Sequence, residues 1–113
     1  MRLISLVLCL CATAAGAGPA PLACEGPGWT LDLAPETATL DFAGTRTELE
    51  IPHRVTARGA ESPEALTLIG PRASAILILH DRSCGLGDPI EAQLLTQEGL
   101  DPVLLTGCCR PAP

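Results

Sequence analysis

Cys24, Cys84, Cys108 and Cys109 are the residues whose chemistry can say most, and His80 stands four positions before Cys84. Thiolates and an imidazole can hold a metal ion, and Cys84, Cys108, Cys109 and His80 together make a Cys₃His set of the kind that binds zinc. The spacing favours a different use. No Cys-x-x-Cys is present, and two neighbouring thiolates fit poorly on one tetrahedral ion. A disulfide between Cys108 and Cys109 themselves would be strained. Neighbours in a strand point to opposite faces, so Cys108 and Cys109 diverge and take different partners. Four cysteines allow three pairings. Cys84 follows the most apolar segment and Cys24 precedes the first alternating one, which favours Cys84–Cys108 with Cys24–Cys109. Closing about 25 residues contributes roughly 3 kcal/mol in the chain-entropy account, and closing about 85 contributes roughly 4.5. A domain this small has a net stability of roughly 5–10 kcal/mol, so scaffolding suffices to explain the thiols. Metal binding by Cys84, Cys108, Cys109 and His80 is the alternative reading.

The other reactive side chains form no constellation. His80 and Asp81 resemble two members of a triad, but adjacent strand residues point apart. His53 follows Pro52 on an alternating segment, at its rim. Ser74 and Ser83 lack the glycine-flanked elbow that presents a nucleophile. Lysine is absent, which removes Schiff-base chemistry and the phosphate-loop lysine. The reading is therefore no enzyme, no catalytic residue and no cofactor. Gly85-Leu86-Gly87-Asp88-Pro89 is glycine-rich, but no helix start follows to hold a phosphate. It reads as a turn whose rim can bind a partner, with Trp29 as a nearby second component. Trp29, directly after Gly28, also suits a core plug near a barrel end.

The first residues read as an address. Met1-Arg2 supplies one positive charge, Leu3 to Ala12 is apolar, and Thr13 to Ala17 are small. That order is a secretory signal peptide, too short to span a membrane. Cleavage after Ala17 starts the mature chain at Gly18 and discards Cys9 and Cys11 with the leader. The rival is a lipid anchor at Cys24, because Pro21-Leu22-Ala23-Cys24 loosely matches a lipoprotein box. Either way the expected location is periplasmic or secreted, where thiols oxidise.

Charge narrows the partners. Seven basic residues face 13 acidic ones, for a formal charge of −6. Nucleic acid and anionic membranes are poor partners for such a chain. Asparagine and tyrosine are missing, and the aromatics are Trp29 and Phe42 alone. Bases or sugars need a broader stacking platform than that. The partner expected is a protein or an envelope component.

The remaining residues must build the scaffold. Residues 18–28 carry Pro19, Pro21 and Pro27 and read as an extended, mobile lead-in. A single domain is expected over residues 29–110. Apolar residues then recur with a period of two around Leu31–Leu33, Ala38–Phe42, Leu49–Val55, Ala65–Ile69, Ala73–Leu79, Ile90–Thr96 and Val103–Thr106. Pro52 belongs to an edge or a bulge because it cannot donate a ladder bond. Ala73–Leu79 is apolar on both faces, the pattern of a central strand. Seven short strands with turn signals between them predict an all-β antiparallel meander, closed as a small barrel or sandwich and stapled by disulfides.

Cys24-x-Gly26-x-x-Trp29, the central Cys84 and the terminal Gly107-Cys108-Cys109-Arg110 resemble an uncharacterised family of small bacterial exported proteins and lipoproteins. The resemblance spans about Cys24 to Arg110. It implies an exported β fold with a cysteine-held end, and no established activity. In that family the loop after the central cysteine carries an Asp-Gly-Met-Ser-Asp-like run ending in Tyr-Pro. Here it shortens to Gly85–Pro89, keeping one acid and one proline.

Overall fold

Alternation drives the sheet. Leu31 and Leu33, Ala38 and Leu40, Leu66 and Leu68, Leu77 and Leu79 each sit two residues apart, and all are buried. The computed structural model describes residues 19–85, 87–98 and 101–113. Its strands are β1 (Leu22–Gly26), β2 (Trp29–Leu33), β3 (Thr37–Phe42), β4 (Thr45–Thr56), β5 (Glu64–Ile69), β6 (Ser74–His80), β7 (Ile90–Glu98) and β8 (Asp101–Pro111). Each pairs antiparallel with the next, and β8 pairs back onto β1. The result is a closed up-and-down barrel, all-β as expected, with no helix among the described residues. Eight strands leave an interior that side chains can just fill. Here leucines fill it, together with Ala38, Ala75, Ala92 and the Cys24–Cys109 pair. Burying each leucine contributes roughly 1.5–3 kcal/mol, so this small domain gains most of its stability from that interior.

The lead-in expectation needs correcting. Within residues 18–28 the chain forms β1, hydrogen-bonded to β2 on one side and β8 on the other. The paired barrel therefore starts at Leu22, not Trp29, and runs on to Pro111. Pro21 and Pro27 flank β1 rather than interrupt it, so neither removes a ladder donor. Pro27-Gly28 makes the two-residue connection to β2, with Gly28 at φ 79°. A fixed proline followed by a glycine at positive φ is the signature of a type II turn.

Pro52 sits where its missing N–H predicts. The β4–β5 register shifts between Glu50 and His53, and the Ile51 N–H donates to Glu36 O at 2.9 Å. The double-faced apolar pattern of β6 has a different outcome. In a closed barrel every strand is flanked on both sides and no second sheet covers the outside. Leu77 and Leu79 point in, and Ile76 points out with 43% of its surface exposed. The leader, its cleavage after Ala17, Cys9 and Cys11 lie outside the described residues. No described helix is long and apolar enough to cross a membrane.

Candidate functional site

The cysteines settle into two bridges, Cys24–Cys109 and Cys84–Cys108. Their geometry follows from β8. Cys109 points into the barrel and is fully buried, while its neighbour Cys108 points out and is partly covered. Cys24 faces Cys109 directly across the β1–β8 seam, with Cα atoms 4.0 Å apart. This bridge joins the first strand to the last. Cys84 and Cys108 have Cα atoms 5.6 Å apart and pin the β6–β7 loop to the outer face of β8.

The metal set does not assemble from these residues. Cys84 and Cys108 bond each other, and Cys109 bonds Cys24. His80 lies opposite Glu91, which in turn lies opposite Cys108. One strand therefore separates His80 from Cys108, a gap of roughly 9–10 Å. Among the described residues no three His, Cys, Asp or Glu side chains gather as a metal ion requires. The Asp81 N–H donates to Ser62 Oγ at 2.9 Å, which anchors the loop rather than orienting His80.

The loop from Cys84 to Pro89 is exposed and constrained. The Cys84 N–H donates to Asp88 O at 2.8 Å, and the Asp88 N–H donates to Cys84 O at 3.0 Å. That reciprocal pair makes a one-bridge turn. Gly85 and Gly87 take positive φ of 58° and 107° inside it, values at which a side chain would be strained. The Cys84–Cys108 bridge ties the turn down, and Cys84 Sγ lies 3.4 Å from Gly107 O. Gly85, Gly87 and Pro89 are exposed and Asp88 is half-buried; Leu86 lies outside the described residues. Replacing Cys84 and Cys108 together by alanine is expected to cost up to about 3 kcal/mol. Hydrogen exchange should then speed up across Arg82–Ile90 while β2, β3 and β5 stay protected.

Trp29 is not part of that surface. It retains only 3% of its exposure, and its Nε1 donates to Thr106 O at 3.1 Å. The indole fills the barrel end between Gly26 and Gly107. A Cβ on Gly107 would sit 2.7 Å from Trp29 Cζ2, and one on Gly26 would sit 2.9 Å from Cε2. The plug reading therefore holds, and the binding-rim reading of Trp29 does not.

An apolar strip on the outside escaped the sequence reading. Ile76 of β6, Leu95 of β7 and Leu104 of β8 lie side by side in one cross-strand row. They are exposed by 43%, 41% and 61%, with Ile69 of β5 beside them at 46%. The doublets Leu94-Leu95 and Leu104-Leu105 signalled it, since a half-buried strand has no use for two adjacent leucines. A shallow depression of about 200 Å³ lies on the strip, lined by Ile69, Ile76 and Leu95 among others. One of about 550 Å³ is lined by Arg46, Glu48 and Arg72 among others. No family model, curated protein or solved structure matches the chain.

Proposed function

We propose that this protein is an exported β-barrel, periplasmic or secreted, that works without catalysis by binding a protein or an envelope component through its Cys84–Pro89 loop. One observation carries the reading: an exposed loop is held rigid by a disulfide at its base and by two backbone hydrogen bonds across it. Loops on rigid scaffolds are where binding residues concentrate, and preordering reduces the entropy lost on association. Two bridges in a small domain suit an oxidising compartment, as does the resemblance carried by Cys24, Gly26, Trp29 and Gly107–Arg110. The binding rim consists of Gly85, Leu86, Gly87, Asp88 and Pro89.

Two measurements test it. The intact mass of the protein recovered from the periplasm, alkylated without reductant, is expected to start at Gly18 and carry no alkyl group. A lipid-modified Cys24 at the N-terminus, or a cytoplasmic protein with free thiols, would count against export as proposed. A photo-crosslinking side chain at Asp88 should then give a defined adduct that excess unlabelled protein competes away. The same probe at Thr39, on β3, should not. Equal labelling at both positions sinks the loop as the contact surface.

A further inference from the structure

β4 outruns β5 at one end of the barrel. Ile69, the last residue of β5, pairs with Glu50, and the chain then turns through Gly70 to Ala73 into β6. Thr45 to Glu48 pair with β3 alone. A depression of about 550 Å³ opens between them and the turn, lined by Arg46, Thr47, Glu48, Pro71, Arg72 and Ala73 among others.

Strand alternation fixes the backbone groups that face it. The Ile51 N–H donates to Glu36 O, on the β3 side. Thr45, Thr47 and Leu49 therefore turn toward β3 as well, and Arg46 and Glu48 turn the other way. Counting on from the Glu50–Ile69 pair, the position facing Glu48 is Pro71, which has no N–H. The N–H groups of Arg46 and Glu48 have no backbone acceptor among the described residues.

The side chains add charge. Acidic residues outnumber basic ones 13 to 7, and Arg54, Arg82 and Arg110 each pair with a carboxylate. Arg46 and Arg72 form no ion pair among the described residues, although Asp41 lies opposite Arg46 on β3. Both line the depression instead, one from the strand and one from the turn. That turn is fixed against the strand. The Gly70 N–H donates to Ala73 O at 2.8 Å, and a Cβ on Gly70 would come 2.9 Å from Leu49 Cδ2 and 3.0 Å from Glu48 O. Packed backbone thus holds the two arginines to one cleft.

We propose that this cleft binds a ligand carrying a single carboxylate on an uncharged body. Guanidinium forks match a planar carboxylate two bonds at a time, and the Arg46 and Glu48 N–H groups add donors on the strand side. Glu48 sets the charge, because it shares the cleft with both arginines and leaves one net positive charge. A monoanion cancels that charge, whereas a dianion exceeds it and meets the Glu48 carboxylate. Pro71, Ala73 and the threonine methyl groups give the rest of the ligand an apolar wall. The same carboxylate chemistry comes from a free acid or from an acidic side chain of another protein. The cleft lies where β4 and β6 begin, at the end of the barrel away from the Cys84–Pro89 loop that follows β6, and is independent of that loop.

Amide NMR spectra of the disulfide-intact protein, titrated with butyrate, inorganic phosphate and the blocked peptide acetyl-Ala-Glu-Ala-amide, test the proposal. The Arg46 and Glu48 signals are expected to move saturably with the two carboxylates, less so at high salt, and far less with phosphate. Both arginines are exposed, so changing them leaves the core alone. Arg46→Gln and Arg72→Gln should each weaken butyrate binding about tenfold or more, as loss of a charge-assisted bond does. Glu48→Gln should tighten phosphate more than butyrate, since the repulsion it removes grows with ligand charge. Tighter binding of the peptide than of butyrate assigns the carboxylate to a protein partner; binding no tighter assigns it to a free acid. No saturable shift at Arg46 and Glu48, or binding unchanged when both arginines are replaced, overturns the proposal. Phosphate bound as tightly as butyrate overturns it equally.

Discussion

Removing the seam disulfide, by changing Cys24 and Cys109 together to alanine, is expected to destabilise the protein by about 4 kcal/mol. The bridge closes a sequence separation of 85 residues, against 24 for Cys84–Cys108. The unfolded chain therefore gains more freedom when it is lost. The folded state loses something specific as well. β1 has five residues and pairs with β8 over four of them. Beyond the ladder, the nearby Arg110–Glu25 ion pair at 3.0 Å is exposed on both sides, and such pairs are worth about 0.2–1 kcal/mol. Without the bridge β1 can detach, and detachment uncovers the edges of β2 and β8 together. Small domains hold roughly 5–15 kcal/mol in all, so the variant should unfold at a far lower urea concentration under non-reducing conditions. It should also aggregate as it does so, through the new edges. A midpoint equal to the wild type would mean that strand pairing alone closes the barrel.

Gly107→Ala is expected to cost about 3 kcal/mol, the upper end of the range for overpacking. The added methyl would sit 2.7 Å from Trp29 Cζ2 and 2.8 Å from the Glu25 carbonyl carbon. Neither neighbour can yield, because the indole is buried and hydrogen-bonded and Glu25 belongs to the seam. Trp29→Ala reaches the same spot from the other side. It should cost about 3–5 kcal/mol through the cavity it leaves. Trp29→Phe retains most of the volume but orphans Thr106 O, for a loss of about 1 kcal/mol. The double variant Trp29→Leu, Gly107→Ala should be less damaged than the sum of its single changes, since the smaller side chain makes room for the methyl. Additive losses in urea unfolding would show that the backbone of Glu25, not the indole, is what the methyl strikes.

These two sites occupy one place in the fold. Cys24, Gly26, Trp29, Gly107 and Cys109 are far apart in the chain and meet at the closure of the barrel. Their spacing encodes architecture rather than chemistry. Strand alternation around Leu31–Leu33 and Leu77–Leu79 was legible because each strand has one buried face. The divergence of Cys108 and Cys109 was legible because a strand sends neighbours to opposite sides. Three things were not. β1 has a single fully buried side chain, Cys24, too little for a periodic signal. Barrel and sandwich differ in whether the first strand meets the last, and no local pattern carries that long-range pairing. Trp29 suited a core plug better than a binding rim, but only Gly26 and Gly107, brought together by the fold, make the slot it fills. The loop's constraint was half visible: its glycines and proline marked a turn, but the Cys84–Asp88 bonds needed the structure.

The pairing of β1 with β8 also sets a clock. Ribosomes deliver about 5–20 residues per second, so β1 waits roughly 4–17 s for the partner made 85 residues later. Until then β2 through β7 can form hairpins one after another, but the growing sheet keeps two raw margins. Trp29 has no slot, and Cys24 remains an unpaired thiol able to react with whatever disulfide comes first. The final strand is thus both the lid of the barrel and the event that makes its earlier pieces safe.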